Sequence, residues 1–159
     1  MKTLGVSFLS CIAVNKAFTQ KAIDKITNKM TSIKNLNDPS QYKEYVNCLN
    51  TLKIIAANNQ SNAEKVLKSL GWWVRETIKG LPDRIPEELY QRATTKMLDV
   101  MGVMIDIYTK YHSDKVRSGI VDVFKLIDEK HPLLAPATDA RNMLIQWGIP
   151  GYKGTPYVD

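Results

Sequence analysis

The sequence predicts an all-α fold: a single compact domain of five to seven helices, arranged as a bundle or a short α-superhelix. Three observations carry this expectation. Apolar residues recur at three- and four-residue steps through most of the chain, the period that places them on one side of a helix. Strand signals are missing, with no Asn-Gly or Asp-Gly hairpin turn and no sustained period-two alternation. Helix start and stop residues punctuate the segments between the stripes. The length of 159 residues, with 44% hydrophobic and 24% charged residues, suits one folded domain and excludes disorder.

Each element carries its own signals. Leu4, Phe8, Leu9, Ile12 and Ala13 make the stripe of a first short helix. Met1-Lys2 ahead of the Leu4 to Val14 run also has the elements of a signal peptide, with Cys11-Ile12-Ala13 as its small-x-small site. We read the segment as a structural helix of an intracellular protein, with secretion as the alternative. Ile23, Ile26, Met30 and Ile33 mark one face of a second helix. Asp38-Pro39 starts the next, as N-cap and first helical residue, and Tyr42, Tyr45, Val46, Leu49, Leu52 and Ala56 line it as far as Asn58-Asn59. Ser61 and Glu64 have capping-box spacing ahead of Ala63, Val66, Leu67, Leu70, Val74 and Ile78. Gly71 inside that helix costs about 1 kcal/mol against alanine, which predicts a close backbone approach or a bend there.

Pro86-Glu87-Glu88 opens the longest and most apolar segment, running through Ala93, Met97, Met101, Met104 and Ile105 to Tyr108, the expected centre of the domain. Ser113 or Asp114 starts another helix, with Val116, Ile120, Phe124 and Ile127 inward, and His131-Pro132 stops it. Thr138 is the expected cap of the last, which carries Ala140, Leu144 and Trp147 and ends at Gly148. The domain therefore spans 1–147. Residues 148–159, rich in Gly and Pro, form an extended C-terminal tail in which Tyr152 and Tyr157 are candidate docking residues. Residues 98–150 have the cadence of paired helices in an α-solenoid.

The net charge of +6 is uneven along the chain. Residues 1–35 hold six lysines against Asp24, whereas residues 96–159 hold eight basic and eight acidic residues. Lys21, Lys25 and Lys29 come at four-residue steps, away from the apolar face, as a basic ridge suited to an anionic partner.

Catalytic constellations are missing. Cys11 and Cys48 sit in apolar stripes, where a thiol is ordinarily inert packing, and two cysteines support neither a zinc cluster nor a disulfide framework. Asp128 and His131 have the spacing of half a helical metal site whose other half is missing. Asp99 and Asp106, seven residues apart, have the spacing of a solvent-facing pair more than of a catalytic one. No phosphate-binding glycine loop, Gly-x-Ser-x-Gly elbow or His-Glu-x-x-His occurs. The expectation is a chain that is not an enzyme and binds no metal or cofactor. Asn59-Gln60-Ser61 is a glycosylation sequon, relevant only to a secreted chain.

Trp72-Trp73 is the most informative local feature. Neighbours on a helix point about 100° apart, so one core cannot take both. Trp73 lies nearer the apolar stripe, which leaves Trp72 exposed or covered by another element, with Arg75 and Lys79 on the turns beyond. The function expected is a non-catalytic helical binding or scaffold module, a subunit or adaptor whose partner is another protein or a copy of itself. One alternative is a nucleic-acid-binding protein of packaging or coat type that uses the N-terminal lysine ridge. Another is a secreted helical protein binding lipid or a small apolar ligand. No apolar run is long enough to span a membrane.

Overall fold

In the computed structural model, the described residues, 16–132 and 134–152, form six α-helices and no strand. They are α1 (Lys16–Ser32), α2 (Pro39–Asn58), α3 (Gln60–Lys79), α4 (Glu87–Lys110), α5 (Asp114–Lys130) and α6 (Ala135–Gln146). The expected first helix, with Cys11, lies outside the described residues, as does Tyr157.

The apolar stripes become the core. Ile23, Ile26 and Met30 of α1 and Ile33 just beyond it are buried, as are Leu67, Leu70 and Val74 of α3 and Val116, Ile120, Phe124 and Ile127 of α5. Met97, Met101 and Met104 are buried too, so the methionine row fills the core. On α2 the expected Tyr45, Leu49, Leu52 and Ala56 are buried, joined by Cys48 and Ile55, while the expected Tyr42 faces outward.

Two helix starts differ from the reading of the sequence. The residue that caps α3 is Asn59, whose side chain accepts from the Asn62 amide at 2.8 Å. Asn59 also terminates α2, so one extended residue ends one helix and starts the next. Glu64 is thereby released from the capping role and reaches Lys115 of α5 instead. The last helix begins at Ala135, with Pro136 in its first turn, which leaves Thr138 inside it. Asp38 and Ser113 cap α2 and α5 as expected, through the Ser40 and Val116 amides.

The helices alternate in direction and stack in two layers. Among the described residues, each helix packs only against its first and second neighbours in the chain. The second-neighbour pairs run parallel. Thr27 of α1 shares a hydrogen bond with Ser69 of α3, and Thr31 lies near Trp73 one turn on. Lys115 of α5 meets Glu64 of α3, and Val123 meets Gly71 two turns on. Tyr45 of α2 donates to the Lys96 carbonyl of α4, and Lys53 pairs with Asp106 farther along. One layer is therefore α1, α3 and α5, the other α2, α4 and α6. The arrangement is a short α-superhelix. Its hub is α3, which packs broadly on α1, α2 and α5 as well as on α4; the longest helix, α4, makes thinner contacts.

Glycine explains the closest contact. A Cβ on Gly71 would stand 3.1 Å from Val123 Cγ2, and one on Gly119 would stand 3.0 Å from Leu67 Cδ2. Each glycine thus receives a side chain of the facing helix, and α3 and α5 approach closely. The start of the tail is turned rather than extended. Gly148 and Gly151 adopt φ values of +67° and +93°, and Ile149 and Tyr152 pack back on the core.

Candidate interaction surface

Two groups of cations stand apart from those held in ion pairs. In the first, a side chain reaches the carbonyls at the C-terminal end of a different helix, where the backbone has no partner of its own and the dipole is negative. Arg92 of α4 donates to the Lys34 carbonyl at 2.8 Å, and Lys96 of α4 donates to the Ile33 carbonyl, both just beyond α1. Lys110, the last residue of α4, donates to the Ala57 carbonyl at 2.8 Å and so holds the end of α2, joined there by the Tyr111 hydroxyl. Arg117 donates to the Trp147 carbonyl at the end of α6 and lies over the Trp147 ring, which packs on Tyr108 and Phe124. Lys96 is half-buried beside Tyr45; desolvation, with the nearby charges of Lys34 and Arg92, lowers its pKa to about 8.

The second group faces solvent on the odd-numbered layer. Helices α1, α3 and α5 carry 12 basic and 7 acidic residues, whereas α2, α4 and α6 carry 6 of each. The excess that the linear sequence places at the N-terminal end is, in the fold, an excess on one layer. Lys21, Lys25, Lys65, Lys68 and Arg75 form no ion pair with the described residues.

Helix α3 organises this face. Two surface grooves of about 450 Å³ each run along its sides, one against α1 and one against α5. Lys65 and Lys68 line both, standing on the ridge between them. The α3–α5 groove is cationic: Arg75 and Lys115 join the two lysines, and its single carboxylate, Glu64, is paired with Lys115 at 3.4 Å. Gly71, Gly119, Leu67 and Val123 make its floor. The α1–α3 groove is different. Gln20, Asp24 and Asn28 of α1 face Ser69 and Trp72 of α3 across it, and Gln20 donates to Asp24 at 2.9 Å.

The residues singled out by the sequence are spread over several parts of the fold. Trp73 is 3% exposed and Trp72 is 46% exposed, so the two neighbours divide between core and surface. Arg75 stands in the cationic groove. Lys79 is held by Glu76 at 3.4 Å on the exposed side of the helix. The lysine ridge does not act as one unit, because Lys29 turns toward α2 and pairs with Glu44 at 2.8 Å, a contact that raises its pKa. Neither Lys21 nor Lys25 lines the groove beside Trp72. Tyr152 rests on the protein's own core. Lys65 and Lys68, two turns and one turn before Trp72, are the functional candidates the sequence reading missed. Stepping backward from Trp72 by four and seven residues, as well as forward to Arg75 and Lys79, would have found them.

The remaining candidates for chemistry have structural partners. Asp128, 8% exposed, receives Arg141 at 2.9 Å, and the His131 amide closes the end of α5 on the Ile127 carbonyl. Asp106 pairs with Lys53, while Asp99 is partly buried, which raises its pKa. Burial likewise raises the pKa of the Cys48 thiol, the direction that suppresses the reactive thiolate. Among the described residues, no three His, Cys, Asp or Glu side chains are grouped so as to hold a metal ion, and no helix is long and apolar enough to cross a membrane. A further groove, about 800 Å³ between the α1–α2 loop and the start of α4, has mixed charge from Lys34, Arg92, Glu87 and Glu88. Comparison with protein-family models, curated proteins and solved structures finds no match. Function is therefore argued from the chemistry of this surface.

Proposed function

We propose that this chain is a non-catalytic helical interaction module, a subunit or adaptor that engages an anionic partner through the outer face of α1, α3 and α5. The observation that carries the reading is the division of its cations. Those of α4, together with Arg117, are committed to helix ends, while Lys65, Lys68 and Arg75 line one helix beside an exposed tryptophan without a carboxylate partner. Unpaired cations held in register on a rigid helix cost little ordering on binding, and tryptophan and arginine are the residues most enriched where binding energy concentrates. The lipid-binding alternative gains no comparable support: the buried side chains of the two layers pack into one core, and the larger grooves are lined by charged and amide groups.

The test is directional. Lys65→Glu/Lys68→Glu on α3 and Lys43→Glu/Lys53→Glu on α2 change the net charge equally. On immobilised heparin, used as a generic polyanion, the α3 variant is expected to elute at clearly lower salt than the α2 variant. Equal loss from both would show that net charge alone drives retention, and the proposed face would be discarded.

A further inference from the structure

The two grooves beside α3 differ in a way that specifies more than an anion. Building on the interaction face assigned to α1, α3 and α5, and depending on it, we propose that this face binds single-stranded nucleic acid. Its phosphates would run along Lys65, Lys68 and Arg75, with a base stacked on Trp72.

The cations come first. Ten residues separate Lys65 from Arg75, a rise of about 15 Å along a helix at roughly 1.5 Å per residue. Lys65, Lys68 and Arg75 all line the α3–α5 groove, whose one carboxylate is neutralised by Lys115. That side of the ridge suits a chain of repeated negative charges. Gly71 and Gly119 line it, where α3 and α5 approach closely.

The other side of the ridge, where Lys65 and Lys68 stand across from one carboxylate and two amides, adds groups suited to bases. Asp24 stands in the α1–α3 groove with Gln20 and Asn28, opposite Trp72. A carboxylate accepts from the amino groups of bases, and amides both donate and accept, which is how base edges are read. The half-exposed indole supplies a flat ring for stacking, the interaction that single-strand binders add to a cationic track. A duplex keeps its base faces inside the stack and could not use Trp72. An acidic peptide would satisfy the lysines but leave the amides, Asp24 and the indole without a matched partner. The polarity of the two grooves therefore fits a strand with phosphates on one edge and bases on the other.

The test uses the full chain and fluorescence anisotropy of labelled oligothymidylate and oligouridylate, each about 12 nucleotides long, within the usual site size of single-strand binders. A duplex of the same length is the comparison, and poly-glutamate is the competitor. Single strands are expected to bind more tightly than the duplex, to resist poly-glutamate at equal charge, and to quench tryptophan emission. Trp72→Ala should weaken binding about tenfold and abolish most of the quenching, while Trp72→Phe should retain most of the affinity. Lys65→Ala/Lys68→Ala/Arg75→Ala should lower the dependence of log K on log salt by about 2, at roughly 0.7 per phosphate contact. All four positions are at least partly exposed, and circular dichroism of each variant is the check that it is folded. Displacement by poly-glutamate as readily as by oligonucleotide, or binding indifferent to Trp72→Ala, would overturn the inference. If heparin retention still depended on the α3 lysines, the interaction face would stand with an acidic protein as its partner. If that dependence were also lost, both readings would fall together.

Discussion

Helices α3 and α4 are neighbours that carry similar cations to opposite purposes. On α4, Arg92, Lys96 and Lys110 lie beside the ends of other helices, and each reaches a backbone carbonyl outside its own helix. On α3, Lys65, Lys68 and Arg75 face outward, and none has an ion-pair partner among the described residues. The comparison teaches that basic residues cannot be read for function from net charge. A lysine at the end of a partner helix satisfies a backbone group and belongs to the fold; a lysine on an unpaired ridge is available to a ligand.

The heaviest way to test this division is to disturb what both helices share. Leu70 is fully buried in α3, the hub of the two layers, and Leu70→Ala should cost about 2–5 kcal/mol in urea unfolding. A cost below about 1 kcal/mol would show that α3 is not the hub. The next test separates the two groups of cations. Arg92→Ala/Lys110→Ala removes two hydrogen bonds to helix-end carbonyls and should cost about 1–3 kcal/mol, whereas Lys65→Ala/Lys68→Ala should stay within about 0.5 kcal/mol of the parent. Similar losses in both pairs would erase the distinction.

A third test uses pH. The pKa of Lys96 is lowered from 10.5 to about 8, so above pH 8 the unfolded chain holds more protons at this site than the folded one. Stability contributed by this site therefore rises with pH through that window, as the cost of burying the ammonium is relieved. Relative to Lys96→Met, the parent should gain stability between about pH 8 and 10.5, and a difference independent of pH would count against the burial. The smallest effect concerns the glycines. Alanine favours a helix by about 1 kcal/mol over glycine, but at Gly71 the new methyl meets Val123, which is stiff about χ1. At Gly119 it meets the end of Leu67, which can swing aside. Gly119→Ala should thus be the more stable of the two variants in thermal unfolding, and the reverse order would show that Leu67 cannot give way.

Much of this architecture was readable from residues whose effects are local. Ile23, Ile26, Met30 and Ile33 identify the buried face of α1 without help from any other helix, and Asp38-Pro39 needs only its own turn to start α2. The reading failed where two local signals competed. Asn59 and Ser61 can both cap a helix, and only the chain direction leaving α2 places Asn59 at the cap. Pro136 and Thr138 pose the same ambiguity at α6. The candidate surface was less accessible because it is a property of topology. That Trp72 would be exposed stems from its angle to Trp73. That Lys29 meets Glu44, while Lys65 and Lys68 stand between two grooves, depends on which helices become neighbours, and periodicity carries no such information.

The restriction of each helix to its first and second neighbours has a consequence for motion. In a closed bundle, first and last helices brace one another and loss of either exposes the whole interior. Here, among the described residues, α1 and α6 have no mutual contact, so each can detach at its own end while the remaining helices stay stacked. Amide exchange should accordingly be graded: fastest in α1 and α6, slowest in the middle of α3. The same short-range wiring favours rapid folding, because little of the chain must be closed into large loops before contacts form. The α3 ridge of the proposed surface thereby belongs to the part of the molecule that opens last, and its α1 wall to a part that opens first.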